Sequence, residues 1–175
     1  YLDSVIEPLC NEKHQKLLVS GHIVSEYVPL LDKLRINQIA FNLLSNAVKY
    51  TQEGGTIEYR IDESVSGGRM CMTITVSDNG IGMSKKFQKQ LFQPFAQENR
   101  YTGSEFKIGS SGLGLSIVKR LIDLMHGKIE VQSKRGKGSS FIIQVEVDCI
   151  KISDIHSKVK KAKNGFVTDI DNLMV

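Results

Sequence analysis

The sequence is poor in cysteine and has no long apolar segment. Cys10, Cys71 and Cys149 are odd in number and far apart, which excludes a disulfide framework and the paired spacing of a zinc site. We expect buried or idle thiols in a reducing compartment. No stretch approaches the ~20 apolar residues that cross a bilayer, and no secretory leader is visible. The sequence therefore predicts a cytoplasmic domain, and a parent protein anchored in the inner membrane through other segments stays an open alternative.

A strong excess of one charge is also missing. The formal net charge is +4, and a nucleic-acid-binding protein would be more basic, with its charge gathered in a stripe. The clearest cluster is Lys158, Lys160, Lys161 and Lys163 near the C-terminus. We interpret it as a solvated linker, with a basic interaction patch as the alternative, and expect no nucleic-acid partner.

The apolar periodicity predicts one domain of alternating helices and hairpin strands. The chain has 175 residues, enough for one core. The predicted helices cover 1–15, 32–50, 84–92 and 113–125, and the predicted strands cover 17–24, 56–62, 70–77, 127–133 and 139–147. This order favours a two-layer α/β sandwich, a mixed sheet with helices on one face. The predicted domain spans 1–148, and 149–175 is a linker or the start of a following unit.

Two asparagines interrupt the apolar face of the helix 32–50. Asn42 and Asn46 are four residues apart and share one side of the helix, and Lys49 follows one turn later. A carboxamide oxygen is a hard ligand for Mg²⁺, and an ammonium group is a point charge for phosphate. The alternative is an ordinary helix with two amides facing solvent.

A carboxylate with two following glycines stands at the end of the strand 70–77. Asp78 precedes Asn79, Gly80 and Gly82, and glycines let the backbone approach a ligand closely. A fixed carboxylate can accept a hydrogen bond from an exocyclic amine such as that of adenine. The alternative is a simple turn, because Asp-Asn-Gly is favourable turn chemistry.

A second glycine-rich stretch, 109–115, leads directly into a helix. Amides at a helix N-terminus attract anions. No Gly-Lys-Ser/Thr follows, so the stretch is not a P-loop. The preceding segment is a loop and the nearest strands form hairpins, so it is not a dinucleotide-binding fingerprint either.

In this order and spacing, the motifs resemble the boxes of the GHKL family, which comprises gyrase, chaperone ATPases, histidine kinases and MutL. Residues 42–51 resemble the N box, residues 78–82 the G1 box, residues 92–95 the F box and residues 112–115 the G2 box. Residues 136–141 fit the glycine motif before the last strand. The F box occurs in histidine kinases and not generally in the other branches, so it is the discriminating motif. We expect Phe92 and Phe95, which begin and end it, to be packed.

The resemblance implies a site for ATP and Mg²⁺. Asn46 would hold Mg²⁺, with Asn42 lining the same site, and Lys49 would meet phosphate. Residues 96–111 would form a mobile lid over ATP. Its Lys107 or its Arg100 would contact phosphate, and the alternative for each is a solvated charge on the lid.

For the adenine end and the start of the last helix, the resemblance implies a second set of residues. Tyr50 would flank the base and Asp78 would accept from its amino group, with Gly80 and Gly82 shaping the pocket. The nucleotide contacts at the helix start would come from Gly112, Leu113, Gly114 and Leu115.

The implied function is transfer of the ATP γ-phosphate to a histidine on a separate helical domain. The chain has four histidines, His14, His22, His126 and His156, and none has the acidic residue and proline that follow an acceptor histidine in this family. We therefore expect the acceptor on a partner domain, in a parent that is dimeric and passes phosphate to a response regulator or receiver domain.

Two rival functions stay open at this stage. Gyrase-like and chaperone-like ATPases keep a glutamate as the base for water where this chain has Asn42, and an amide cannot take a proton at neutral pH. A degenerate ATP-binding domain that serves as a sensor or scaffold is the second rival, although all four boxes are intact.

Overall fold

The computed structural model describes residues 2–98 and 112–155, with side chains from Ser4 onward. In chain order, its elements are α1 Leu2–Glu12, β1 Lys16–His22, β2 Tyr27–Pro29, α2 Lys33–Tyr50, β3 Thr56–Ser66, β4 Arg69–Asp78, α3 Lys85–Gln88, α4 Gly114–Leu124, β5 Lys128–Lys134 and β6 Gly138–Lys151. All seven elements that begin after β2, and also α1 and β1, were expected at nearly these positions. The three-residue strand β2 was missed because it is too short to show alternation.

The strands form one mixed sheet in the order β1-β3-β4-β6-β2, with β5 pairing to the first half of β6. All pairs are antiparallel except β1 and β3, which run parallel on either side of the connection through α2. The predicted two-layer α/β sandwich is confirmed. The prediction that strands pair as hairpins was incomplete, because β1 pairs with β3, and helix α2 lies between these two strands in the chain.

Helix α2 forms where its pattern predicts. Asp32 is its N-cap, and the carboxylate accepts hydrogen bonds from the backbone N–H groups of Leu34 and Arg35. This pairs amides that a helix start would otherwise leave open. The apolar face that the periodicity predicts is buried, and it consists of Ile36, Ile39, Ala40, Leu43, Leu44, Ala47 and Val48. The polar residues of α2 therefore lie along one remaining side.

The register of the sheet puts Asp78 at the end of the core face. Tyr59, Val76 and Phe141 lie opposite one another across β3, β4 and β6 and are buried. Partners across a ladder share a face and residues two apart repeat it, so the next row toward the strand ends is Ile57, Asp78, Ser139 and Ser133. The sheet thus changes from apolar to polar where β4 ends.

The hairpin between β3 and β4 extends beyond the predicted strand ends. Arg69 donates to Glu146 at 2.7 Å and to Asp148 at 3.1 Å on the neighbouring strand β6. These residues are exposed and polar, so apolar alternation does not mark them. Strand β6 itself continues to Lys151, because its end pairs with β2. Within 2–98 and 112–155, no helix combines the length and the apolar character needed to span a membrane.

Candidate functional site

The two asparagines of α2 lie beside the start of α4. Asn42 and Asn46 are both half-buried, and the Asn42 side-chain N–H donates to the Gln38 carbonyl at 2.9 Å. A Cβ atom added at Gly114 would lie 3.1 Å from Asn42 Oδ1. The N-terminus of α4, with its positive dipole end, therefore faces the polar side of α2.

The carboxylate of Asp78 is held by backbone donors. Gly80 N–H donates to Asp78 Oδ1 at 2.9 Å, and the Ser139 backbone also donates to this carboxyl. Burial at the strand end raises the pKa of Asp78, and the two hydrogen bonds oppose that effect. A carboxylate with two fixed donors keeps further lone pairs and can accept from a bound ligand.

The glycines after Asp78 bring this loop against two other elements. A Cβ at Gly80 would lie 2.2 Å from the Tyr50 carbonyl oxygen. At Gly82, φ is +59° and a Cβ would lie 2.1 Å from the Lys134 carbonyl oxygen. The Tyr50 carbonyl also accepts from Ile81 N–H at 3.1 Å. The loop therefore packs closely between the end of α2 and the β5–β6 turn.

Asn79 holds the same loop against β3 through hydrogen bonds, and the sequence analysis did not predict this role. Its Oδ1 accepts from Thr56 N–H at 2.8 Å, and its own N–H donates to the Thr56 carbonyl at 3.2 Å. The residue was visible only as turn chemistry, because its partner is 23 positions away.

Two serines of the polar row were also missed. Ser133 Oγ accepts from Met83 N–H at 2.9 Å and lies 3.1 Å from Ser139 Oγ. They tie the β5–β6 hairpin to the end of the Asp78 loop. The glycine motif at 136–141 was the available signal.

Lys49 and Tyr50 form a pair at the end of α2. Lys49 Nζ lies 5.4 Å from the centre of the Tyr50 ring, within cation–π range. Burial and then the nearby charge of Lys13 lower the pKa of Lys49. Tyr50 is 37% exposed, so part of this residue is accessible from outside the domain.

The two phenylalanines of the F box behave differently. Phe92 is half-buried and packs against the core, as expected. Phe95 is 70% exposed and has φ of 62°, so the expectation that its ring is packed was wrong. Its backbone acts instead: Phe95 N–H donates to the Gly112 carbonyl at 3.0 Å. This bond holds the F box to the G2 box.

The G2 residues lie between the F box and the body of helix α4. Gly112 has φ of +69°, and a Cβ there would lie 2.8 Å from the Phe95 backbone. Leu113 is the N-cap of α4, and Leu115 packs against the core. The predicted contacts from Lys107 and Arg100, and most of the predicted lid, lie outside the described residues.

A separate open groove of about 530 Å³ runs between the F box and α4. Its lining includes Pro94, Ser116, Arg120 and His126. None of Asn46, Asp78 and Tyr50 belongs to its lining. The residues brought together by the four boxes, rather than this groove, form the candidate site.

Sequence comparison finds a family that matches most of the chain and relatives that share its sequence. The profile of the family described as histidine kinase-, DNA gyrase B-, and HSP90-like ATPase matches residues 31–148. The autoinducer 2 sensor kinase/phosphatase LuxQ of Vibrio parahaemolyticus is 34% identical over 147 residues, which are 83% of this chain and 17% of that protein. The sensor protein GacS of Pseudomonas syringae is 37% identical over 149 residues, 83% of this chain and 16% of that protein. The chain thus spans less than a fifth of either relative.

Structure comparison agrees with the sequence match. Full-length ShkA, in a crystal structure with AMPPNP, superposes with a TM-score of 0.65 at 26% identity, covering 86% of this chain and 29% of that one. The mycobacterial sensor histidine kinase MprB gives the same TM-score at 19% identity and covers 85% of this chain and 93% of that one, a likeness of fold alone.

Proposed function

Because the chain belongs to the family of histidine kinase-, DNA gyrase B- and HSP90-like ATPases, we propose that it is the ATP-binding catalytic domain of a sensor histidine kinase. Its reaction is transfer of the ATP γ-phosphate to a histidine on a separate helical domain. The observation that carries this proposal is an asparagine, Asn42, beside the start of α4 in a chain that also has an F box.

The adenine base belongs at the end of β4 in this proposal. Asp78 accepts from the exocyclic amine, and Gly80 and Gly82 leave room for the base. The accessible part of Tyr50 covers one face of the ring. Support comes from the two backbone donors that orient the Asp78 carboxylate.

The triphosphate then extends toward the start of α4. Gly112, Leu113, Gly114 and Leu115 offer backbone groups at the positive end of that helix, and Lys49 supplies a cation. From the lid, Lys107 or Arg100 adds a second one.

Mg²⁺ fits the donors that this site has. Among the described residues, no group of three or more His, Cys, Asp or Glu side chains could hold a metal ion. The half-buried Asn46 amide would hold a magnesium ion that arrives with the nucleotide, an arrangement that is common for Mg²⁺. When bound, it neutralises the negative charge that the phosphates carry in the transition state.

Catalysis rests on positioning and charge neutralisation. The imidazole nitrogen of the acceptor histidine attacks the γ-phosphorus, the bond to the bridging oxygen breaks, and ADP leaves. Asn42 cannot take a proton from water, so hydrolysis lacks a base at that position. The acceptor, a nucleophile in its neutral form, is supplied by the helical domain.

The remaining parts of the proposal concern the parent protein. The domain covers the predicted range 1–148 and also the end of β6 as far as Lys151, and the residues after it are a linker or the start of a following unit. The parent protein is dimeric, and this domain of it lies in the cytoplasm. In the alternative, other segments of the parent anchor it in the inner membrane. Its phosphate passes to a response regulator or receiver domain. The name of the relative LuxQ, a sensor kinase/phosphatase, supports the proposed phosphate transfer.

The test is phosphate transfer from labelled ATP. The chain is incubated alone and then with the helical domain of its parent. We expect no label on the chain itself, very slow hydrolysis, and acid-labile, alkali-stable label on the added domain. Asn46→Asp places a negative charge beside the phosphates and is expected to abolish transfer in a folded protein. Fast hydrolysis by the chain alone would instead favour the gyrase-like function.

A further inference from the structure

The last turn of α2 ends on four carbonyl groups that a helix cannot pair by itself. Two side chains from the corner between α1 and β1 reach three of them. Lys13 Nζ donates to the carbonyls of Val48 at 2.9 Å, Lys49 at 3.1 Å and Thr51 at 3.3 Å. Gln15 Nε2 donates to the Val48 carbonyl at 3.0 Å and to that of Thr51 at 2.8 Å.

The fourth carbonyl, that of Tyr50, is taken by the Asp78 loop through Ile81 N–H. The end of α2 is therefore shared between two partners: the α1–β1 corner on one side and the loop that carries Asp78 on the other. A shift of this turn moves the Tyr50 carbonyl, and with it the Ile81 amide and the Gly80 backbone that lies against it.

The corner is built for this contact. Gln15 is 5% exposed, although glutamine is usually at the surface. Lys13 is half-buried and places a positive charge at the negative end of the α2 dipole, which stabilises it. The backbone adds two bonds, from Gly54 N–H to the Lys13 carbonyl and from Lys16 N–H to the Gly55 carbonyl.

We propose that Lys13 and Gln15 are positioning residues for the nucleotide, which fix the last turn of α2 and, through the Tyr50–Ile81 bond, the loop that presents Asp78. This inference rests on the proposed ATP site. The contacts that position Asp78 for adenine begin more than 60 residues before it in the sequence. They start in a corner that contains none of the four boxes.

The test compares Lys13→Met with Lys16→Met. Both changes remove one positive charge from the same segment, but Lys16 is exposed on β1 and only its backbone joins the contact. Affinities for ATP and for inorganic tripolyphosphate are measured by calorimetry with Mg²⁺, and amide exchange is followed at Ile81 and, as an internal reference, at Ile74 in the centre of β4.

We expect Lys13→Met to weaken ATP binding about three- to tenfold, in line with the loss of charged hydrogen bonds that act indirectly, and to weaken tripolyphosphate binding by a clearly smaller factor, because tripolyphosphate has no base to meet Asp78. Exchange at Ile81 should speed up while exchange at Ile74 does not. A purely structural role would lower the melting temperature and leave the ratio of the two affinities unchanged. Lys16→Met should match the wild type.

The inference is overturned if the affinity ratio and Ile81 exchange stay at wild-type values in Lys13→Met, or if Lys16→Met shifts them equally. Should Lys13→Met fold poorly, Lys13→Arg keeps the charge but cannot bring one nitrogen to three carbonyls, and a smaller shift in the same direction is expected; an unchanged ratio there also overturns it. Wild-type protein that fails to prefer ATP over tripolyphosphate would instead refute the proposed ATP site itself.

Discussion

At the scale of single residues, Asp78 combines two opposing properties. Its carboxylate is oriented by the Gly80 and Ser139 amides, but burial at the end of β4 raises its pKa. The same location that makes it a selective acceptor also penalises its charged form. Binding and stability should therefore respond in opposite directions when the charge is removed.

The binding response concerns the adenine base. Asp78→Asn replaces an acceptor-only carboxylate by an amide that can present N–H groups to the exocyclic amine. We expect ATP affinity to fall roughly ten- to a hundredfold, the effect of losing about 1.5–3 kcal/mol from a charged hydrogen bond. Tripolyphosphate affinity should change little. Calorimetry with both ligands measures the difference, and unchanged ATP affinity would refute the adenine assignment.

The stability response should depend on pH. Because the pKa of Asp78 is raised by folding, the native state holds this proton more tightly than the unfolded state, and stability falls as pH rises through the folded pKa. Asp78→Asn removes that penalty, so the variant should be more stable than the wild type at pH 7, by about 1 kcal/mol or less. Below pH ~4, the ordinary carboxyl range, the advantage should vanish. Urea unfolding of both proteins at pH 7 and at pH ~3.5 checks this, and a wild type that is the more stable at pH 7 contradicts it.

At the scale of elements, the site depends on close backbone approach where three elements meet. The Asp78 loop touches α2 at Gly80 and the β5–β6 turn at Gly82, while α4 touches α2 at Gly114. These contacts differ in what stands opposite the glycine. Backbone atoms cannot move aside, whereas the end of a side chain can.

Gly80→Ala and Gly114→Ala should therefore differ in sign. At Gly80 the new Cβ would lie 2.2 Å from the Tyr50 carbonyl oxygen, so we expect a loss of about 1–3 kcal/mol from overpacking. At Gly114 the nearest atom is Asn42 Oδ1 at 3.1 Å, the end of a side chain, and alanine in place of a glycine with a compatible backbone conformation stabilises by about 0.4–1 kcal/mol through the unfolded state. Chemical denaturation of the two variants measures both; equal destabilisation would show that backbone contact does not decide the outcome.

The elements also show what a sequence can and cannot predict. Helix α2 was predictable because its seven buried residues repeat at helical spacing and Asp32 caps it. The parallel pairing of β1 with β3 was not, since no local turn marks a partner across a whole helix. In the site, the boxes located Asn42, Asn46 and Asp78. Asn79 and Lys13 escaped detection, because their partners are backbone atoms of Thr56 and of α2, which no side-chain motif records.

At the scale of the whole molecule, the sheet separates stability from function. The buried rows of β3, β4 and β6 build the core around Ile74, Ile143 and Val76. The polar row of Asp78, Ser139 and Ser133 is confined to one end of the sheet. Substitutions of these polar side chains therefore affect few core contacts.

The bond between Phe95 N–H and the Gly112 carbonyl closes a ring in the chain, because residues 96–111 leave and return at one point. The entropy of closing a flexible ring grows only with the logarithm of its length, about 0.6 kcal/mol for each doubling. The cost of closing this ring therefore depends only weakly on the number of residues inside it. The two residues that form this bond cannot vary in the same way, because Gly112 has φ of +69° and leaves no room for a Cβ against the Phe95 backbone. Insertions should accumulate inside the ring while its two ends stay fixed.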